Sequence, residues 1–139
     1  MGNEKLVTKL NEALGWELRA VNMYAHYAAN IRGTHRIQLA PLFKSEVDES
    51  MIHAETVRNA IVKNDGIAVT ERNPETILHT TDYTVMIHES LKTEMKAAEV
   101  YGELMQMLED MGDGEIYDAI EQIYLSEVRS IEEMRLLMS

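Results

Sequence analysis

The chain has 139 residues, 24 acidic and 13 basic, for a formal charge of −11; a length of this order fits one domain, 1–139, burying roughly two-thirds of its unfolded surface. That charge disfavours nucleic acid and anionic membrane as partners and favours cations. With no cysteine, disulfides, zinc knuckles, c-type haem attachment and iron–sulfur clusters are excluded. No stretch approaches about 18 apolar residues, so no membrane span is expected, and a start at Met1–Leu6 without a basic-then-apolar leader makes the cytoplasm the expected location.

Four helices are expected, in an all-α antiparallel bundle. The first runs from about Asn3 to Ile31, with Leu6, Leu10, Ala13, Leu14, Glu17, Ala20, Val21 and Tyr24 at three- and four-residue spacing and Gly33 as its stop. The second is expected to begin near Pro41, because proline suits a first helical turn, and carries Leu42, Glu46, Glu49, Ser50, His53, Val57 and Ile61 towards Gly66. From Gly66 to about Thr81, with Pro74 and no clear period, the chain is longer than a tight turn and is expected to cross the length of the bundle. The third helix runs from about Asp82 to Met111, with Ile87, Leu91, Glu94, Ala98, Tyr101 and Leu104 on one face. Gly112-Asp113-Gly114 breaks it, and a fourth from about Glu115 aligns Ile116, Ile120, Ile123, Glu127, Ile131 and Met134. Helix count alone also suits a cytokine-like or histidine-kinase-type bundle.

Two segments are nearly the same word: Glu17-Leu18-Arg19-Ala20-Val21-Asn22-Met23-Tyr24 and Glu94-Met95-Lys96-Ala97-Ala98-Glu99-Val100-Tyr101. Each puts a lone Glu on an inward stripe, which is costly unless a cation, a base or a proton meets it. On the other two helices, Ser50-Met51-Ile52-His53 and Glu127-Val128-Arg129-Ser130 superimpose as Ser-x-x-His on Glu-x-x-Ser. A bundle that holds two metals takes one Glu from each of two helices and a Glu-x-x-His from each of the others. This chain has both lone Glu residues and half of each pair, so Glu17, His53, Glu94 and Glu127 are the candidate metal ligands. Three carboxylates and one imidazole suit Fe(II), Mn(II) or Zn(II). An acidic core satisfied by protonation and internal hydrogen bonds is the alternative. Tyr24 and Tyr101 are expected to be buried and hydrogen-bonded to Glu, and His26, His35, His79 and His88, unpaired with inward carboxylates, are expected on the surface.

On these residues the chain resembles bacterioferritin, within the ferritin-like superfamily, over essentially its whole length. The helix-one motif Glu-Leu-x-Ala-x-Asn-x-Tyr stands here as Glu17-Leu18-Arg19-Ala20-Val21-Asn22-Met23-Tyr24. The resemblance implies a ferritin-like topology, with Glu17, His53 and Glu94 as terminal iron ligands, Glu127 bridging two irons and Tyr24 beside them. The family's second bridging Glu falls at Ser50 and its second His at Ser130. The resemblance therefore implies an iron-binding or iron-storage protein with an incomplete di-iron (ferroxidase) centre, one strong site at Glu17, His53 and Glu127 and one weak site at Glu94 with a share of Glu127.

Glu46 and Glu49 are candidate accessory ligands, with Glu46 expected to face solvent or a cage interior. Ser50 and Ser130 either hydrogen-bond to metal-bound water or fill space. Met51 falls where the family places its axial haem methionine, so haem b enters as a cofactor, although a methionine on such a face ordinarily packs. A homo-oligomer, at least a dimer, is implied. The other readings are a non-catalytic, haem-carrying cage or scaffold subunit that co-assembles with a ferroxidase-competent relative, and a mononuclear metal oxygenase using Glu17, His53 and Glu127.

Overall fold

The computed structural model describes residues 3–138; Met1, Gly2 and Ser139 lie outside the described residues. Those residues form four helices, α1 Asn3–Asn30, α2 Arg36–Lys63, α3 Tyr83–Met111 and α4 Gly114–Met138, and no strand. Short turns join α1 to α2 and α3 to α4, so each pair packs antiparallel, and α1 also packs along α3.

The helix ends follow local chemistry. The Asp82 side chain caps α3 by accepting from the Thr84 amide at 2.8 Å. Gly112, at φ +73°, closes its other end in the left-handed conformation that glycine adopts at least cost. α2 departs from the expected start near Pro41. It begins at Arg36 and carries Pro41 inside it. The amide that Pro41 lacks would meet the carbonyl of Ile37, in an exposed first turn where water can take that carbonyl instead.

The segment between α2 and α3 crosses the bundle lengthwise, as expected, because α1 supplies anchors all along it. Asn11 accepts from the Val69 amide and donates to the Ile67 carbonyl. The Gly15 carbonyl accepts from the Asn73 amide, the Tyr27 hydroxyl donates to the Leu78 carbonyl and the Arg32 amide donates to the Thr81 carbonyl. From Asn11 to Arg32 the helical rise amounts to about 30 Å. Arg19 is the central pin. Its guanidinium, buried at 3% exposure, donates to the Glu75 and Thr76 carbonyls and to Thr93, and lies 5.4 Å from the Trp16 ring. This strap buries a second face of α1, which explains why Trp16 and Arg19 are covered although they lie off its inward stripe.

The interior consists of two apolar clusters with a polar layer between them. One gathers Leu6, Leu10, Leu14, Val57, Ile61, Leu104, Leu108 and Ile120; the other gathers Met23, Tyr27, Ile31, Phe43, Met86, Ile87 and Met134. Between them lie Glu17, Ser50, His53, Thr93, Glu94, Ser126, Glu127 and Ser130, all buried. The inward face of α3 is wider than its expected stripe, taking in Ala97 and Val100, while Leu91 and Ala98 are half-buried, because α3 packs against both α1 and α4.

Candidate metal centre

Each helix sends one of the four candidate ligands into the polar layer, and all four are buried: Glu17 2% exposed, Glu127 3%, Glu94 4% and His53 9%. Three of them converge. Glu17, His53 and Glu127 each offer a ligand atom, and these atoms all lie within 4.8 Å of one another. His53 Nδ1 stands 3.4 Å from Glu17 Oε2 and 3.3 Å from Glu127 Oε1. Yet His53 Nδ1 and Glu127 Oε2 are both buried without a hydrogen-bond partner, an arrangement that costs free energy in a cation-free core.

The two tyrosines of the repeated word bind across the bundle. The Tyr101 hydroxyl donates to Glu17 Oε2 at 2.5 Å, and the Tyr24 hydroxyl donates to Glu94 Oε1 at 2.5 Å. Each word's tyrosine thus holds the other word's glutamate, with burial pushing both hydroxyls well above their usual range. Both remain neutral donors. They fix one oxygen of each carboxylate while the other oxygen stays available to a ligand.

Charge in the layer is balanced by protons when no cation is there. Burial disfavours the imidazolium of His53, but the carboxylates of Glu127 and Glu17 outweigh it and lift its pKa to about 10. Burial, then the charge of Glu17, pushes Glu127 up to about 8 against the relief given by His53. His53 and Glu127 are thus both pushed towards their protonated forms, the direction in which added positive charge offsets the buried acids. Two carboxylates and one imidazole form a donor set suited to Fe(II), Mn(II) or Zn(II), so the residues present fit a metal.

Several expected residues sit elsewhere than expected. Glu46 does not face solvent: it is 8% exposed, and Ser130 donates to its Oε1 at 3.4 Å. The space beside Ser50 and Ser130 is open to it because neither serine fills what a longer side chain would. Burial, then the neighbouring charge of Glu49, raises Glu46 to about 7. Glu49 is half-buried and accepts a short hydrogen bond from Ser126. Met51 does not pack within the chain. It is 56% exposed, beside an equally open Ile52, because its position on α2 faces away from α1 and α4. His26 is half-buried rather than on the open surface, its Nε2 lying 2.9 Å from Nδ1 of His79 on the strap; the remote pairing of residues 26 and 79 left no local spacing to reveal it. The burial of Arg19 also left no expectation in the sequence, although a base occupies the same place in both repeated words.

An antiparallel helical bundle with acids and an imidazole gathered in a buried central layer is the four-helix arrangement in which such side chains can hold metal ions. The family model for the ferritin-like domain matches residues 7–139. The chain belongs to the ferritin-like domain family. Among solved structures, a ferritin-like di-iron-carboxylate protein from Bacillus anthracis str. Ames superimposes with a TM-score of 0.95 at 24% identity, covering 100% of this chain and 99% of that one. The dodecameric thioferritin of Bacteroides fragilis, a bacterioferritin-related protein, gives 0.87 at 20% identity over 95% of this chain and 83% of that one. A DPS protein from Vibrio cholerae O1, described as a member of a superfamily of ferritin-like di-iron-carboxylate proteins, gives 0.94 at 10% identity over 99% and 91%. No curated protein sequence matches the chain.

Proposed function

We propose that this chain, a single ferritin-like domain over 1–139, is a bacterioferritin-like iron-binding and iron-storage protein whose strong cation position is made by Glu17, His53 and Glu127. The observation that carries the reading is the convergence of these three buried side chains with His53 Nδ1 and Glu127 Oε2 left unpartnered. Iron is the cargo, and when bound it supplies the ferrous–ferric redox step. The chain's residues bind and orient it, Tyr101 holds Glu17 in place, and the two apolar clusters keep water away. Binding releases the protons shared by His53 and Glu127. Ser50 and Ser130 stand where a symmetric two-metal centre needs Glu and His, so coupled oxidation of two ferrous ions is slow or lost.

This loss favours a second reading, a non-catalytic cage or scaffold subunit that co-assembles with a ferroxidase-competent relative. A mononuclear oxygenase has less support: the larger surface cavities are lined by residues such as Glu4, Thr8 and Met107, not by the three ligands. A homo-oligomer is part of the proposal, supported by the dodecamer described for the Bacteroides fragilis relative. So is a cytoplasmic location; among the described residues no helix is long and apolar enough to cross a membrane. The exposure of Met51 leaves haem b shared between two copies as a further proposal, tested by a Soret band in the purified protein. Anaerobic Fe(II) titration followed by air tests the main reading. Tight ferrous binding that His53→Ala abolishes supports it, oxygen uptake separates storage from scaffold, and binding unaltered in His53→Ala refutes the assignment.

A further inference from the structure

The strap meets the last turns of α1 at a pair of imidazoles. His26 follows the inward-facing Tyr24 by two residues, which turns it to another side of the helix, and His79 lies near the end of the strap. Nε2 of His26 stands 2.9 Å from Nδ1 of His79, with the ring centroids 5.1 Å apart and the planes at 67°. Both rings are fixed in place by their surroundings. On either side of His79 the strap is tied to α1 or its end, the Tyr27 hydroxyl donating to the Leu78 carbonyl at 2.8 Å and the Arg32 amide to the Thr81 carbonyl at 3.3 Å. Asn30, one turn beyond His26, donates to its carbonyl and lies 3.4 Å from its Nδ1. Among the described residues no acid forms an ion pair with either ring.

Two facing ring nitrogens can share a hydrogen or share a cation. The spacing serves both roles and selects among cations. Two nitrogens each about 2.0–2.1 Å from one ion stand about 2.9 Å apart when the bonds meet at about 90°, as in square-planar or tetragonal coordination; a tetrahedral ion would hold them about 3.3 Å apart. The observed 2.9 Å matches the first case, the geometry of Cu(II) and Ni(II) with imidazole. His79 is exposed, so its ring can turn to aim both lone pairs at one point, and His26 is only half-buried, so water can fill the remaining positions. The hydrogen that the rings share passes to the other nitrogen of its own ring. For His26 that nitrogen is Nδ1, beside the Asn30 amide, whose oxygen can accept it.

We propose that His26 and His79 form a site for a divalent transition ion, Cu(II) or Ni(II), that fastens the strap to α1. It uses none of Glu17, His53 and Glu127 and stands apart from the reading of those residues. Without the ion one water-accessible hydrogen bond joins the rings; with it two coordinate bonds do, and the strap opens there only when the ion leaves. The −11 charge of the chain draws cations towards it.

The test is calorimetric titration of the full chain with Cu(II) alone at about pH 7.5, because ligation needs neutral imidazoles. The wild type is expected to bind one ion more than either His79→Ala or His26→Ala, while His88→Ala, which removes an exposed histidine of α3, keeps that ion. In a His53→Ala background, electron paramagnetic resonance is expected to show copper with two nitrogen ligands in a tetragonal field. Chymotryptic cutting after Leu78, which is 47% exposed, should slow by at least about tenfold when free Cu(II) is about 100 times its Kd. The slowing should vanish in His26→Ala, which leaves the cleaved bond unchanged. Equal copper stoichiometry and affinity in the wild type and His79→Ala overturns the proposal. Copper that binds through both histidines without slowing the cut after Leu78 overturns it as well.

Discussion

Replacing Glu127 by Gln separates what the buried layer costs from what it does. In the folded chain Glu127 titrates at about 8 against an ordinary 4.5, because burial and the charge of Glu17 oppose its ionisation. A raised acid of this kind contributes stability that is fully present below its unfolded pKa and is lost as pH climbs through the folded one. At about pH 8 the loss reaches up to about 4 kcal/mol, the relief given by the imidazolium of His53, 3.3 Å away, being already contained in the shift. Glu127→Gln removes the titration and leaves Glu17 and His53 as a pair. The metal-free variant is therefore expected to be more stable than the wild type by up to about 4 kcal/mol at about pH 8, some 12 °C in Tm for a chain of this length. The gain is expected to shrink below about 1 kcal/mol at about pH 5, where the wild-type carboxyl is neutral. Co(II) affinity at the strong cation position should fall by about 100-fold or more in the same variant, the loss of a charged ligand. Thermal unfolding by circular dichroism with chelator present, at both pH values, decides it. A variant less stable than the wild type at about pH 8, or a gain of equal size at both pH values, refutes the reasoning.

The remaining predictions concern the rest of the layer and the strap. Tm of the metal-free wild type is expected to fall steadily between about pH 5 and pH 10, because Glu46 loses its contribution as pH rises through about 7 and His53, raised by its carboxylate neighbours, as pH rises through about 10; saturating Co(II) should flatten this slope by taking the place of the protons, and a slope unaffected by cobalt contradicts it. Tyr101→Phe strips buried Glu17 of its hydroxyl partner and is expected to cost about 1–3 kcal/mol in urea unfolding, with a neutral result counting against that hydrogen bond as a support of the layer. Arg19→Met releases the Glu75 and Thr76 carbonyls; limited proteolysis should then cut the strap between residues 70 and 80 several times faster while the helices survive. The pair Ser50→Glu and Ser130→His completes the symmetric ligand pattern, and cobalt titration should bring the two affinities to within about threefold of each other.

Helix number, the long strap and the inward position of all four candidate ligands were legible because each leaves a local trace: a period near 3.6, a glycine at a stop, a proline outside any period. Pro41 misled because a proline in the second turn is tolerated when the carbonyl it orphans can reach water, and sequence does not show that exposure. Glu46 misled for a different reason. Its position on α2 is amphipathic by spacing, and what draws it inward is the smallness of Ser50 on its own helix and the hydroxyl of Ser130 on another. Met51 and His26 repeat the lesson in opposite directions, since the exposure of one and the partial burial of the other are decided by which helix or strap lies alongside. Arg19 could have been found: a base inside a motif otherwise read as inward-facing needs carbonyl or carboxylate partners, and the strap was the only long stretch with carbonyls to spare.

The asymmetry of the polar layer arises in α2 and α4 alone. In each repeated word the tyrosine follows the glutamate by seven residues, two helical turns on one face. Because α1 and α3 run antiparallel, stepping forward from Glu17 to Tyr24 on one helix matches stepping back from Tyr101 to Glu94 on the other. The two Tyr–Glu bonds form a pair related by a local two-fold axis. That half of the layer would serve two equivalent ions. The other half breaks the equivalence, with an imidazole at His53 facing a hydroxyl at Ser130 and a carboxylate at Glu127 facing a hydroxyl at Ser50. Only one of the two vacated places is refilled, by Glu46 leaning on Ser130. A duplicated scaffold with unequal inserts thus presents two unlike sets of side chains in the layer rather than a matched pair.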